Sequence, residues 1–246
     1  MELPTYVALS RLAAQQRALD VTASNLANAS TPGFKASRVL FTDWLSNQTG
    51  TEAPVGDRKV AYTQDRATYR EQQPGTLQNT GNPLDLAIGG EGYFTVNTPR
   101  GPRLTRAGHF TQQANGTIGD MDGNALLSSS GSPLRIAPTD TEITVTPDGT
   151  ISTESGEIGR VGVVMPSDVN RVSPEGNRNL LSDVPTAPVT QAKVVQGAVE
   201  DSNVQSVVET TRMMSDLRSF QFTTQFVQAE SDRMQSAIDK ITARKM

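Results

Sequence analysis

Apolar residues at both ends of this chain recur on alternating three- and four-residue steps. Near the start they are Leu9, Leu12, Leu19, Ala23 and Leu26, with Gln16 in the one polar slot. Near the finish they are Met213, Leu217, Phe220, Val227, Met234, Ile238 and Ile241, interrupted by Thr224 and Ser231. A repeat averaging about 3.5 residues is the seam of a coiled coil. A long amphipathic helix also packs on its own domain in many proteins. Here the seams lie at opposite ends of the sequence, and the middle reads as a self-contained β module. Neither seam therefore has an evident burial place within its own chain. The pattern predicts terminal helices that pair in an assembly, which suits a polymerising subunit and suits an enzyme poorly.

The first helix is expected to open near Thr5, with Pro4 at or just before its opening turn, where a missing N–H costs little. Asn28-Ala29-Ser30-Thr31-Pro32-Gly33 ends it, because Pro32 disfavours helix at Thr31 and Gly33 permits a reversal. Phe41, Trp44 and Leu45 suggest a short helix or a docking patch, and Asn47 to Gly56 reads as a polar loop or linker. From Leu84 to Val164 the punctuation is that of antiparallel strands. Leu84, Leu86 and Ile88 alternate with smaller or polar residues, and Tyr93-Phe94-Thr95-Val96 is rich in β-formers. Asn115-Gly116, Asp122-Gly123 and Pro147-Asp148-Gly149 mark turns. The last helix opens near Ser202, with Ser202/Gln205 or Ser206/Glu209 as alternative capping boxes, and runs to about Ile241. The expected class is α+β: a coiled-coil-like helical domain made by both termini, and a central all-β domain of barrel or sandwich type. Its divisions are 1–34 (first helix), 35–79 (linker or extended region), 80–165 (β domain), 166–201 (return segment) and 202–246 (last helix).

Composition narrows the function classes. The chain has 246 residues, a formal net charge of -4 and 35% hydrophobic residues. That apolar share is low for a compact globule and fits a chain that leaves some burial to its neighbours. Lys and Arg are scattered, so nucleic acid is not an expected partner. There are no cysteines, which excludes disulfide scaffolds and thiolate metal sites. No run approaches the ~18 apolar residues of a membrane span. Met1-Glu2-Leu3-Pro4 lacks the charged and apolar regions of a secretory signal, so any route out of the cytoplasm is expected to be a different one.

Candidate chemistry is thin. Asp120-x-Asp122-x-Asn124 resembles the opening of a calcium loop, but Ala125 stands where glycine is needed and Gly131 where glutamate is needed. Gly89-Gly90-Glu91-Gly92 resembles a phosphate loop, but a strand follows it, and a helix N-terminus is what supplies the donors. His109 is the sole histidine and has no flanking nucleophile motif. No catalytic, cofactor-binding or metal-binding residue is assigned.

The same segments carry a family likeness. Residues 8–37, centred on Ser24-Asn25-Leu26-Ala27-Asn28 and Thr31-Pro32-Gly33-Phe34, resemble the N-terminal signature of bacterial flagellar rod and hook proteins. Residues 80–98, Leu104-Thr105-Arg106-Ala107-Gly108-His109-Phe110 and Gly197 to Val204 are similar to the family's later motifs, in the same order. Ala23-Ser24-Asn25 and Arg218-Ser219-Phe220-Gln221-Phe222 make the chain most similar to the proximal-rod members. The resemblance implies a helical domain from both termini and an outer β domain. It further implies subunits stacked into a hollow drive shaft that carries torque for motility, in the periplasmic part of the basal body. Implied partners are other rod subunits, itself included, and the flagellar type III export apparatus, which passes the chain without a cleaved signal. No cofactor and no small-molecule substrate are implied. The alternatives are a distal rod subunit, or a peptidoglycan-remodelling hydrolase for which no motif supplies a catalytic carboxylate.

Overall fold

The structure is a computed structural model that describes residues 3–47, 59–176 and 178–243. The chain divides into two compact units. The helical unit comprises Met1–Ala27, Ser37–Glu71 and Gln205–Met246, and the β unit comprises Asn28–Ala36 and Gln72–Val204. The chain therefore passes between the units at four places.

In the helical unit, α1 spans Leu3–Ala27 and α2 spans Ser206–Ala243. Between them in sequence, β1 (Ser37–Asn47) and β2 (Lys59–Arg70) form an antiparallel hairpin with a register shift between Leu40 and Phe41. The short helix considered around Phe41, Trp44 and Leu45 does not form. Val39, Phe41 and Trp44 lie in β1 opposite a β2 rich in Val, Thr and Tyr, and such residues favour a pleated ribbon over a helix. The expected loop from Asn47 to Gly56 lies outside the described residues after Asn47. α1 packs on both hairpin strands and on α2, so both termini join in one helical unit, as the expected fold class has it, although periodicity alone offered the seams no evident burial place within the chain. Helix α2 opens at Ser206, a turn later than the Ser202 alternative.

In the β unit, β3 (Leu77–Asn79) pairs with Ala198–Glu200, and β4 (Leu86–Ile88) pairs with Val194–Gln196. The main sheet is centred on β5 (Tyr93–Thr98), which pairs with β6 (Gly101–Thr105), Ala125–Leu126 and Val163–Pro166. Turns at Asn115-Gly116 and Asp122-Gly123 connect neighbouring strands, with Gly116 and Gly123 at positive φ. The core gathers Leu86, Phe94, Val96, Phe110, Ile118, Leu126, Ile136, Ile151, Val161 and Val194. Phe94 and Phe110 meet edge to face at 5.4 Å. A closed barrel does not form. The strand path runs from Val172–Gly176 through β6 and β5 to Phe110–Gln112, and its two ends stay unjoined. Strands of two to six residues, branching at β5, supply no continuous ladder with a constant stagger, which closure needs.

Candidate assembly surface

The polar anchor of the helical unit is Asn25, near the end of α1. It is fully buried, and its side chain accepts from the Ser37 N–H at 2.9 Å and donates to the Ser37 carbonyl at 2.9 Å. Its amide also donates to Glu209 Oε2 at 3.3 Å. Glu209, 1% exposed in the first turn of α2, takes Arg38 Nη1 at 2.6 Å and Arg212 Nη1 at 3.5 Å. Arg38 Nε also donates to Glu71 Oε1 at 2.8 Å. Burial works against the Arg38 charge, but Glu71 and Glu209 together hold its pKa above the ordinary arginine value. One contact at the end of α1 and the start of α2 sets the helices antiparallel. A parallel pair meeting there would overlap over only the last residues of α1, too few for the packing seen.

Antiparallel pairing from that point leaves the helices unequal. Residue 25 lies opposite residue 209, so Leu3 lies opposite about residue 231, and the last roughly twelve residues of α2 outrun α1 by about 18 Å. Ile238 and Ile241 lie on this overhang and are 53% and 65% exposed. Their exposure follows from length, since nothing of α1 remains to cover them.

Within the paired region the buried stripe differs from the predicted seam by one residue in one of its two columns. In α1, Leu19 is buried and Leu12 and Leu26 are half-buried, as a seam requires, but their companions are Ala8, Gln15 and Thr22. Leu9 is 59% exposed, Gln16 is exposed and Ala23 is half-buried. In α2, Met213, Phe220, Val227 and Met234 are half-buried, and their companions are Glu209, Asp216, Thr223 and Glu230. Leu217, Thr224 and Ser231 are exposed instead. The buried column is thus the more polar one, and the apolar residues beside it face outward. Sequence reasoning also missed Phe222, 74% exposed, and Phe226, 51% exposed, on another flank of α2. Their one legible signal was an aromatic pair at i, i+4 off the heptad. Leu77 and Met121 are the large apolar residues exposed in the β unit among those described; the others belong to the helical unit.

The motifs weighed for chemistry serve the β fold. Asp85 is fully buried and accepts from Thr80 Oγ1 at 2.5 Å and Asn82 Nδ2 at 3.0 Å, with His109 Nδ1 at 2.5 Å. Asp120 Oδ1 accepts from the N–H groups of Asp122 and Asn124, closing a turn. The Gly90 carbonyl accepts from Arg106 Nη2 at 2.6 Å. Arg106 Nη1 also reaches Glu200 Oε2 at 2.7 Å, and Lys35 Nζ donates to Glu200 Oε1 and to the Gln73 carbonyl. Gly75 N–H adds a bond to Glu200 at 2.9 Å. Gly33 is required beside this cluster. Its φ is +72° and a Cβ there would stand 2.3 Å from the Arg106 carbonyl carbon.

The terminal helices are antiparallel, Ile238 and Ile241 are exposed on the overhang, and Leu77 and Met121 are the large apolar residues exposed in the β unit among those described. Comparison with known proteins gives the family. Residues 6–35 match the model for flagella basal body rod proteins, and 87–153 the D1 domain of the flagellar hook protein FlgE/F/G. Residues 195–240 match the C-terminal model of flagellar basal body rod FlgEFG proteins. The chain is 32% identical to the flagellar basal-body rod protein FlgF of Mesorhizobium japonicum, covering 99% of this chain and 100% of that one. It is also 32% identical to FlgF of Caulobacter vibrioides, over 98% of each chain. Identity to the rod protein FlgG of Bacillus subtilis is 29%, over 95% and 97%. The chain belongs to the flagellar basal-body rod protein family, and it is a structural rod subunit of the FlgF-like kind.

Proposed function

We propose that the chain polymerises as a proximal-rod subunit, in the place that FlgF fills in its relatives, and does mechanical work without catalysis. The observation that supports this most directly is the overhang of α2. Ile238 and Ile241 continue the 3–4 spacing of the helix pair beyond Met234 and past Leu3 of α1, so the paired stripe runs on into a surface that no described residue covers. In this reading Leu9, Leu217, Ile238 and Ile241, with Phe222 and Phe226, meet neighbouring rod subunits. Leu12, Leu19, Ala23, Leu26, Met213, Phe220, Val227 and Met234 hold the coiled-coil-like pair that presents them. The assembled rod is a hollow shaft in the periplasm. The chain reaches it unfolded through the flagellar type III apparatus, without losing a signal peptide, and binds neither nucleic acid nor a small-molecule substrate.

The test is complementation of a strain lacking this subunit. Ile238→Asp with Ile241→Asp is expected to leave the purified protein folded, with an unchanged melting temperature, because both residues lie beyond α1. Rods in isolated basal bodies should then stop short, and swimming should be lost. Normal rods in that strain would refute the overhang as an assembly surface. Loss of cell-wall turbidity on adding purified protein would point instead to a peptidoglycan hydrolase.

A further inference from the structure

We propose that Asn25, Glu209 and Arg38 form a register lock that permits one stagger of α1 against α2 and thereby sets how much of α2 is left uncovered. The rest of the paired stripe discriminates poorly. Its recurring members are Leu12, Leu19 and Leu26 on α1, and Met213, Phe220, Val227 and Met234 on α2. Leu and Met adapt to many neighbours, so a slip by one turn, about 5.4 Å, would still bury apolar surface. A buried polar group changes that balance, because slipping strands it without partners.

The geometry concentrates that penalty at one level. The Asn25 side chain is committed on three sides, to both backbone groups of Ser37 and to Glu209. Ser37 opens β1, so the lock ties α1 to the hairpin as well as to α2. Glu209 in turn holds Arg38 at 2.6 Å and Arg212 at 3.5 Å. A slip of one turn would break the Asn25–Glu209 bond and part Glu209 from Arg38. That leaves a carboxylate that is now 1% exposed without its inter-segment cation. The groups joined lie 184 and 171 residues apart in sequence, so the lock closes only when both ends of the chain are in place.

The consequence for assembly rests on the rod reading, since the stagger fixes that Ile238 and Ile241 project beyond α1. The lock itself is tested without any rod. The chain has no cysteine, so Ala13→Cys and Ser219→Cys, both at exposed positions, take spin labels cleanly on the full chain. Their separation reports the stagger by pulsed electron resonance. The native lock should give one narrow distance. Asn25→Leu with Glu209→Leu should give several distances, spaced by about one helical turn, whatever the melting temperature does as the Ser37 backbone groups and Arg38 lose partners. Asn25→Ala is the milder second variant and should add minor distances to the main one. A single unchanged distance in either variant, or a broad distribution with the native residues, would overturn the lock. Loss of motility with the native distance intact would instead bear on the assembly surface.

Discussion

Two acids, Glu200 buried and Asp216 half-buried, act in opposite directions with pH. Glu200 sits 1% exposed in the β unit. Burial works to raise its pKa, but Arg106, Lys35 and the Gly75 N–H together hold it below the usual glutamate value. A depressed folded pKa contributes stability that is present above the unfolded value near 4.5 and is lost as pH falls through the folded one. Glu200→Gln should therefore cost about 3–5 kcal/mol at neutral pH, by leaving two buried cations underpaired, and should shrink the acid limb of the β unit's unfolding curve. Denaturant melts across pH 2–7 would show both. Asp216, on the inner stripe of α2, behaves oppositely. Burial raises its pKa, Glu209 adds to the rise, and Arg212 opposes it. A raised carboxyl pKa contributes stability below the unfolded value, near 3.8, that disappears as pH rises through the folded one. Asp216→Asn should raise the melting temperature at pH 7 and make no difference in acid. A neutral-pH melting temperature that stays put would show that water reaches this carboxylate in the helix pair.

The decisive element is α2, 38 residues and about 57 Å long. Its faces have different duties, and neighbouring residues should separate them. Phe220 is half-buried in the pair, whereas Phe222 is 74% exposed. Phe220→Asp should lower the stability of the helical unit by several kcal/mol, because it puts a charge against α1. Phe222→Asp should stay within about 0.5 kcal/mol of the parent in the isolated protein, as surface changes do, and should still impair rod growth. Thermal melts followed by circular dichroism, set beside swimming assays, distinguish the two. Equal melting losses would mean that Phe220 does not face α1. Arg233 gives the control. It is exposed and paired with Glu230 three residues away, so Arg233→Ala should be mild in both assays.

At the scale of the whole molecule, the β unit draws on segments far beyond its central strands. Val194–Gln196 and Ala198–Glu200 pair with β4 and β3, and Val163–Pro166 completes the sheet at β5. Proteolysis of the isolated protein should therefore leave a resistant piece reaching to about residue 204, rather than one ending near 165. The α2 overhang should be cut first, at Arg233 or Lys240, where no second helix protects the backbone. Mass spectrometry of a trypsin time course reads both ends. A limit fragment that ends near 165 would show that the later strands add little to the unit's stability.

Local rules made several features legible. The turns at Asn115-Gly116 and Asp122-Gly123 depend on positive φ, which Gly supplies wherever it is placed. The stop of α1 before Pro32 depends on a clash with the preceding residue, and the periodicity of α2 depends on its own 3.6-residue turn. The family motifs around Asn25, Leu86 and Glu200 were equally visible as strings. Tertiary structure decided what those strings are for. The alternation of three and four residues is satisfied equally by Leu217 or Asp216 beside Phe220. Only the meeting of Asn25, Glu209 and Arg38, up to 184 residues apart, rotates α2 so that the polar column faces inward. The same contact makes the helices antiparallel and leaves Ile238 and Ile241 uncovered. A one-dimensional pattern measures how apolar a face is. Which face is buried depends on where distant charges find partners, because an unpaired buried charge costs more than an exposed leucine.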